Sequence, residues 1–492
     1  MISSHAAQIL HVSAFTIAQA LCSTAVALIV GVTAAFFTAR RQFFGKRFLL
    51  SLSSVPLCIP SLLIALGFVS FFGMSGTLNT LLKALLHTDT PPLTFLYSFS
   101  GIIIAHGFYN FPLVMSNVYD AWSTIPQEQA EAARLLGARE SRIFTTVTLF
   151  QLLPAIVSSC MLVFLYCFFS FMIVLLFGSV GCSTLEVEIY KSARATLNIH
   201  DTITLSLIET GCACLFVALY ASLEKKSSRT RGMTFAPKFA PHALSSKRER
   251  LSAVLFFCVI LLFFIAPLAS IFYNAISSAR TPLTVKTLST VFSLRGFGNA
   301  LFTTVLTALA TSTLAVLIAF FYAVFVRRAD ARSTHLILRI IPMIPMAISS
   351  VVLALIIMSL VHRGNPIHLI LAQTFLSWPL AFRQIHAALS KLSEETLDAA
   401  RLLSKNPLHT LTKIYLPYAS RGMFSAFGFC FAVSAGDTTL PLVMAIPHFD
   451  TLALFTYRLA SSYRFHEGCA AGVILGVLCM SVFSATQALK RK

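Results

Sequence analysis

Long apolar runs are the feature that most constrains this chain, because a helix needs about 20 consecutive apolar residues to cross a bilayer. The sequence of 492 residues contains about eleven such runs. They lie at 13–38, 48–72, 95–119, 151–177, 201–221, 251–274, 298–326, 336–361, 367–389, 418–445 and 468–487. Charged residues make up 11% of the chain, against about 25% in soluble domains. The sequence therefore predicts an all-α integral membrane protein with about eleven transmembrane helices.

Lysine and arginine residues cluster in four segments that fall on one side of the membrane when the runs alternate in direction. The segments are 40–47, 225–250, 327–332 and the C-terminal ALKRK. Because positive residues favour the cytoplasmic side in short loops, we expect the N-terminus outside and the C-terminus in the cytoplasm. The formal net charge of +19 is then explained by topology, and no nucleic-acid partner is implied.

The two halves of the chain repeat each other at a separation of 267 positions. EAARLLGARESRIFTTVTLF from Glu131 matches DAARLLSKNPLHTLTKIYLP from Asp398. HGFYNFPLVMSNVYDAW from His106 likewise matches QTFLSWPLAFRQIHAAL from Gln373. Internal repeats are common in transporters, and this one is parallel because both charged segments fall on the same side.

This repeat predicts a division of the chain into two similar halves and a linker. We place the first half at 1–222 with five spans, a basic cytoplasmic linker at 223–250, and the second half at 251–492 with six spans. The run at 251–274 has no counterpart in the first half. Either the number of spans is odd, or a further span precedes the sequence given.

A charged amphipathic segment follows a span in each half, at about 124–150 and 390–417. In the first copy, Ala132, Leu135 and Leu136 fall on one helical face and charged residues on the other. Two short helices joined by a turn are expected in each copy. A helix lying on lipid is the alternative, but two copies in equivalent positions favour a surface that binds another protein.

Turn and cap residues support this interpretation of the charged segments. Gly137 permits a sharp turn in the first copy, and Asn406 with Pro407 provides turn chemistry in the second. Ser393 is placed to cap the helix of the second copy.

The two segments resemble the E-A-A loop, with its later I-x-L-P, of the membrane subunits of binding-protein-dependent ABC importers. EAARLLG is followed by Val147-x-Leu149, and DAARLLS by Ile414-x-Leu416-Pro417. The first copy departs from the pattern at Val147 and Phe150, and the second at Asp398 and Ser404. The resemblance implies two coupling helices that dock on a dimer of ATPase subunits. The coupling residues it implies are Glu131, Ala132, Ala133, Arg134, Gly137, Asp398, Ala399, Ala400, Arg401 and Ser404.

The same resemblance implies a permease subunit of the inner membrane that works by alternating access. A periplasmic or lipid-anchored solute-binding protein would deliver a small-molecule cargo. The sequence contains no G-x-x-x-x-G-K-[ST] motif. We therefore expect that the chain is not itself an enzyme, that it binds no cofactor, and that ATP binds to the partner subunit.

Two stretches resemble the thiamine permease branch of this family. They include Thr184-Leu185-Glu186-Val187 with Ile189-Tyr190, and Tyr457 with Ser462-Tyr463-Arg464. The resemblance implies uptake of thiamine or its phosphates. A fused iron(III) permease, or a permease for another small solute, has the same architecture and is an alternative. A secondary transporter driven by an ion gradient would favour several acidic residues within spans, and Asp437 and Glu209 are the candidates here.

Polar residues within the predicted spans are candidates for the translocation path. Asp437 either faces a cavity, where it would attract a cation, or caps and pairs locally. Ser170 is its equivalent in the first half. His106 is the third candidate, with a hydrogen bond between helices as the alternative to cargo contact. His, Cys and Asp residues do not cluster with metal-site spacing, so no metal site is predicted.

Overall fold

The computed structural model describes residues 2–491 apart from 44, 52–58, 180, 229–241, 244, 245, 278–283, 285, 330–337, 339, 340, 362 and 405. The helices between residues 2 and 228 are α1 (Ile2–Arg40), α2 (Lys46–Ser51), α3 (Ser61–Phe72), α4 (Thr77–Leu86), α5 (Phe99–Trp122), α6 (Gln127–Leu135), α7 (Glu140–Ile143), α8 (Leu149–Phe168), α9 (Met172–Phe177), α10 (Leu185–Arg194) and α11 (Ile199–Ser228).

The helices of the remaining chain are α12 (Lys247–Ile260), α13 (Ala266–Ala275), α14 (Lys286–Ser293), α15 (Phe297–Ala329), α16 (Ser350–Val361), α17 (Pro366–Leu389), α18 (Glu394–Leu403), α19 (Pro407–Thr410), α20 (Leu416–Gly436), α21 (Thr439–Met444), α22 (Leu452–Ser461) and α23 (Phe465–Arg491). Short 3₁₀ segments lie at Phe95–Tyr97 and Ile341–Ala347, and π-helical turns at Phe144–Thr148, Leu261–Ile265 and Leu411–Tyr415. In the described part of the chain, β structure is confined to the strands β1 (Arg41–Gln42) and β2 (His242–Ala243), which pair in parallel.

The prediction of an all-α membrane protein is confirmed, but the count of about eleven spans is not. Within the described residues, eight helices are long and apolar enough to cross a membrane. A ninth is added if Ile341–Ala347 and α16, which meet at a bend of 91°, form one span. The predicted spans at 367–389 and 418–445 coincide with α17 and α20, which do not reach this apolar threshold. They pack against each other and contain polar residues such as Gln373 and Ser434, which lower their mean hydropathy.

The repeat seen in the sequence is present in the boundaries of the helices. The helices α5, α7, α9 and α10 each begin and end 267 positions before α17, α19, α21 and α22. The π-helical turn at Phe144–Thr148 has the same relation to the turn at Leu411–Tyr415. Helix α3 precedes α16 by 289 positions, so the first half carries 22 additional residues between α3 and α5. Helix α4 and the 3₁₀ turn Phe95–Tyr97 lie in this additional stretch.

Unit 1 is the first of two compact units and consists of Met1–Pro56, Ile64–Glu188 and Ile203–Ser270. Helices α1, α5 and α8 pack together in it. Phe263, which follows α12, stacks on Phe72 and Phe108 with ring centroids 5.4 and 4.9 Å apart. The apolar run at 251–274 is the one predicted to have no counterpart in the first half. Up to residue 270, this run packs among the helices of unit 1.

Unit 2 consists of Leu57–Leu63, Ile189–Thr202 and Ile271–Lys492. Its core is formed by α15, α17 and α20, with Phe483 of α23 packed against them. The faces of α15 and α20 that meet in this core are rich in alanine, which lets the helices approach closely. The division at 1–222, 223–250 and 251–492 stays a prediction about the repeat, and much of the linker lies outside the described residues.

Candidate functional site

The first charged segment folds as two short helices joined by a glycine turn, as the sequence predicts. Pro126 precedes α6 with an extended backbone, and Glu128 lies in the first turn, where an acid is favoured by the helix dipole. Gly137 follows the end of α6 with φ of +80°. A side chain at that position would meet no atom within 4 Å, so the requirement for glycine comes from the backbone and not from packing.

Glu140 holds this segment together, a role that the sequence did not reveal. Its carboxylate accepts a hydrogen bond from Arg134, with 2.5 Å between Oε1 and Nε. The other carboxylate oxygen lies 3.7 Å from Nη2 of Arg40 at the end of α1. The hydrogen bond from Arg134 to Glu140 raises the pKa of that guanidinium, and the charge of Glu140 adds to the effect. One carboxylate therefore links α6, α7 and α1.

The second charged segment reaches the same shape with side-chain caps. The hydroxyl of Ser393 accepts the backbone N–H of Thr396, which confirms the predicted N-cap of α18. Asn406 caps α19 by accepting the N–H of His409 at 2.8 Å. Between the two helices, Ser404 donates to the carbonyl of Asn406 at 2.7 Å. The turn is fixed by these hydrogen bonds where the first copy uses glycine.

Two pairs of leucines project from these segments at equivalent positions of the repeat. Leu135 and Leu136 are 90% and 88% exposed, and Leu402 and Leu403 are 86% and 82% exposed. Neither pair lies in a helix suited to cross the membrane. Adjacent exposed leucines of this kind are typical of a surface that a partner covers.

The residues implied for coupling surround these leucines. Glu131, Ala132, Arg134, Gly137, Asp398 and Ala399 are exposed, Ala133 and Ser404 are half-buried, and Ala400 is buried. The backbone of Arg401 lies in α18, and its side chain is outside the described residues. Each segment thus presents small, apolar and charged side chains on one accessible surface.

His106 and Ser170, two of the residues proposed for the path, are in direct contact in unit 1. Nε2 of His106 lies 2.6 Å from Oγ of Ser170. The other ring nitrogen, Nδ1, lies 2.8 Å from the side-chain nitrogen of Gln19 on α1. Because that amide nitrogen is a donor, the ring accepts at Nδ1 and donates from Nε2. The imidazole is buried and has both nitrogens paired, which matches the predicted alternative of a hydrogen bond between helices.

Asp437, in unit 2, is the counterpart of Ser170 in the repeat, and it also forms several hydrogen bonds. Its Oδ1 accepts from the backbone N–H groups of Thr439 and Leu440, at 3.0 and 3.2 Å. Its Oδ2 accepts from Nε2 of Gln373 at 3.1 Å. This is the local capping and pairing that the sequence left open as an alternative, and a role in the path stays a prediction.

A known protein family matches the chain in two separate ranges, one for each charged segment. Residues 27–229 and 329–492 match the family described as "Binding-protein-dependent transport system inner membrane component". The chain belongs to this family. It is accordingly a multi-pass permease subunit of an ABC importer that depends on a binding protein. The matched ranges include both leucine pairs and both polar pairs described above.

Individual relatives cover the chain to different extents. The thiamine transport system permease protein ThiP of Escherichia coli (strain K12) is 26% identical over 490 residues, which is 97% of this chain and 89% of that protein. The ThiP of Salmonella typhimurium is 25% identical over 491 residues. The putative 2-aminoethylphosphonate transport system permease protein PhnU of Salmonella typhi is 31% identical over 215 residues, 44% of this chain and 73% of that protein. This permease is thus similar along nearly its whole length to proteins named for thiamine.

Proposed function

We propose that this permease takes up thiamine or its phosphates. The observation that carries the proposal is the similarity over 97% of the chain to proteins named as thiamine permeases. The match includes both halves and the stretches around Glu186 and Tyr457 that resemble the thiamine branch. At about a quarter identity the fold and subunit class are shared, while cargo depends on few side chains.

Coupling to a separate ATPase dimer is the second element of the proposal. The exposed leucine pairs would enter grooves on the two ATPase subunits, and Glu131 and Asp398 would lie at the edge of each contact. Burying one leucine side chain contributes about 1.5–3 kcal/mol, so each pair supports a firm attachment. Alternating access would follow when the ATPases bind and hydrolyse ATP. The chain itself would bind no nucleotide and no other cofactor.

A solute-binding protein outside the membrane is the third element. It would be periplasmic or lipid-anchored and would release cargo into the path between the helices. We place the N-terminus outside, and the C-terminus and both charged segments in the cytoplasm, as the distribution of lysine and arginine favours. The ATPase and the binding protein would then bind opposite faces of the permease.

One observation favours a second cargo, an aminophosphonate. PhnU has the higher identity, 31%, although it covers less than half of this chain. Thiamine carries a positive aromatic ring, whereas 2-aminoethylphosphonate carries an anionic phosphonate and an ammonium group. A path suited to unphosphorylated thiamine is poorly suited to 2-aminoethylphosphonate, because thiamine lacks the anionic group.

The decisive experiment is uptake of radiolabelled thiamine into proteoliposomes that contain the permease, its ATPase and its binding protein. Uptake that requires ATP on the side of the ATPase is the expected result. ATP-dependent uptake of 2-aminoethylphosphonate or iron(III), but not of thiamine, would overturn the proposed cargo and would still be consistent with an ATP-driven importer. Uptake driven by an ion gradient in the absence of ATP would overturn the coupling proposal.

A further inference from the structure

An apolar groove lies in unit 2 where the membrane-spanning helix α15 meets the second charged segment. It is lined by Phe321, Val324, Phe325 and Arg328 of α15 and by Pro407, Leu408 and Leu411. Its volume is about 260 Å³. Phe321, Phe325 and Leu408 are more than half exposed, whereas Val324 is buried and forms the floor. We call this feature the Arg328 groove.

Arg328 provides the charge at the rim of the groove. It is exposed and lies one residue from the end of α15, at the level where a spanning helix leaves the hydrocarbon. Its Cζ lies 5.4 Å from the ring centroid of Tyr415, and Nη2 lies 3.5 Å from the carbonyl oxygen of Pro407. Among the described residues, no carboxylate forms an ion pair with it.

The repeat shows which residue of the first half corresponds to Arg328 and which residue lies beside it there. The N–H of Leu185 donates to Oγ1 of Thr16 at 2.9 Å, and the N–H of Leu452 donates to Oγ1 of Thr304 at 2.6 Å. Leu185 and Leu452 are equivalent in the repeat, so Thr16 of α1 corresponds to Thr304 of α15. The two helices are therefore related by 288 positions.

This register makes Arg40 the counterpart of Arg328. The residue equivalent to Pro407 is Glu140, 267 positions earlier. Arg40 lies 3.7 Å from the carboxylate of Glu140. Arg328 meets a backbone carbonyl at the same place. The first half thus pairs its arginine with a carboxylate, whereas among the described residues of the second half the counterpart arginine lies beside an apolar groove.

We infer that the Arg328 groove binds an anionic phospholipid. A phosphodiester at the rim would accept hydrogen bonds from the guanidinium, for which its geometry is well suited. An acyl chain would lie over Phe321 and Phe325 and cover Leu408, whose side chain is otherwise exposed. An anionic headgroup is favoured over a zwitterionic one because it leaves a net negative charge to match the arginine.

The bound lipid would connect the end of a spanning helix to the segment proposed for coupling. Arg328 and the phenylalanines belong to α15, whereas Leu408 belongs to α19. The lipid would therefore pack against both α15 and α19 and hold them together. The first half achieves the corresponding connection with Arg40, Glu140 and Arg134 alone.

Lipid binding to the purified full-length permease tests the inference, and it requires neither ATPase nor cargo. The detergent-solubilised protein would be titrated with dioleoylphosphatidylglycerol or dioleoylphosphatidylcholine, and bound lipid measured by native mass spectrometry. We expect preferential binding of phosphatidylglycerol. Arg328→Gln should lower this preference about fivefold, the effect of one positive charge at a membrane surface. Arg328→Lys should retain most of it, and Arg363→Gln, on the loop after α16, should leave it unchanged.

Pro407→Glu is the sharpest variant because it places in the second half the carboxylate that the first half has. Glutamate fits the first position of a short helix, as Glu140 does in α7. The new ion pair should lower the preference for phosphatidylglycerol about fivefold, as Arg328→Gln does, with Arg328 still present. This variant also covers the case in which Arg328→Gln does not fold.

Two results would overturn the inference. One is an unchanged ratio of phosphatidylglycerol to phosphatidylcholine binding in both Arg328→Gln and Pro407→Glu. The other is displacement of phosphatidylglycerol by millimolar inorganic phosphate, which would indicate a site for a free anion and not for a lipid. Phe321→Ala should weaken binding of both lipids and leave their ratio intact, since it removes contact with the acyl chain alone.

Discussion

Gln373 donates its side-chain amide to the carboxylate of Asp437, with 3.1 Å between Nε2 and Oδ2. The counterparts of these two residues in the first half are His106 and Ser170, and they are in contact at 2.6 Å. In each half, this contact connects the helix before the charged segment (α5 or α17) to the break that follows the next long helix (α8 or α20). The contact has the same position in both copies of the repeat, but its chemistry differs. It joins an imidazole and a hydroxyl in the first half, and an amide and a carboxylate in the second.

Substitutions of Asp437 separate its capping role from a role toward cargo. Asp437→Asn should keep the helix cap at Oδ1, because asparagine caps helices as well as aspartate does, and should lose only the acceptor that faces Nε2 of Gln373. Asp437→Ala should lower the stability by about 1 kcal/mol through loss of the cap. Because the described hydrogen bonds of Asp437 cap α21 and pair with Gln373 of α17, we expect Asp437→Asn to keep most thiamine uptake. A loss of uptake by tenfold or more at unchanged stability would instead assign the charge to the path.

We expect the protein to tolerate glutamine at position 106, because Gln373 is the counterpart of His106 in the second half. His106→Gln can still pair with Gln19 and Ser170, so its unfolding temperature should stay close to that of the parent. His106→Leu leaves both partners without this hydrogen bond and should cost about 1–3 kcal/mol for each buried group. The exposed His11 of α1 offers the control, and His11→Leu should be neutral. Equal stability of His106→Leu and the parent would contradict this account.

The exposed leucine pairs should determine attachment of the ATPase. Replacing Leu402 and Leu403 by aspartate removes two side chains that would each contribute about 1.5–3 kcal/mol on burial. Co-purification of the ATPase should fall more than tenfold. The corresponding change at Leu135 and Leu136 should act in the same direction. Leu197→Asn removes an exposed leucine from a different loop, where φ of +51° also suits asparagine, and should leave co-purification unchanged.

Charge reversal at Glu131 or Asp398 tests the charged edge of each segment. Both side chains are exposed, so Glu131→Arg and Asp398→Arg should insert normally and keep the permease in the membrane. Uptake should be abolished, because a repulsive charge would face the ATPase. Membrane content by immunoblot and uptake in the same vesicles would be measured together. Normal uptake in both variants would count against the coupling role.

Gly137 should be sensitive to a methyl group although there is space for one. With φ of +80°, alanine is strained by about 1–2 kcal/mol at this position. Amide exchange across α6 and α7 should become about tenfold faster in Gly137→Ala. Gly211, within α11, also has open space but does not have positive φ. Gly211→Ala should stabilise the protein by about 0.5–1 kcal/mol, which separates backbone strain from added bulk.

Much of this structure could be predicted from residue patterns that lie close together in the chain. The glycine turn at Gly137 and the cap at Ser393 are local signals, and the repeat at 267 positions emerges from matching two short stretches; all three are present. The link from Glu140 to Arg40 could not be predicted in this way, because the two residues are 100 positions apart and meet only after α1 packs on α5. The count of about eleven spans stays a prediction, and an apolar stretch such as 336–361 gives no sign in the sequence of the 91° bend between Ile341–Ala347 and α16.

Fusion of the two repeats in one polypeptide has a consequence for genetic analysis. In an importer built from two identical membrane subunits, every substitution appears twice in the assembly. Here each residue and its counterpart in the repeat, such as Leu135 and Leu402 or Arg40 and Arg328, are encoded by separate codons. A single codon change therefore alters one copy of the repeat while the other copy serves as an internal reference. Single and paired mutations can then measure whether the two copies work independently or in concert.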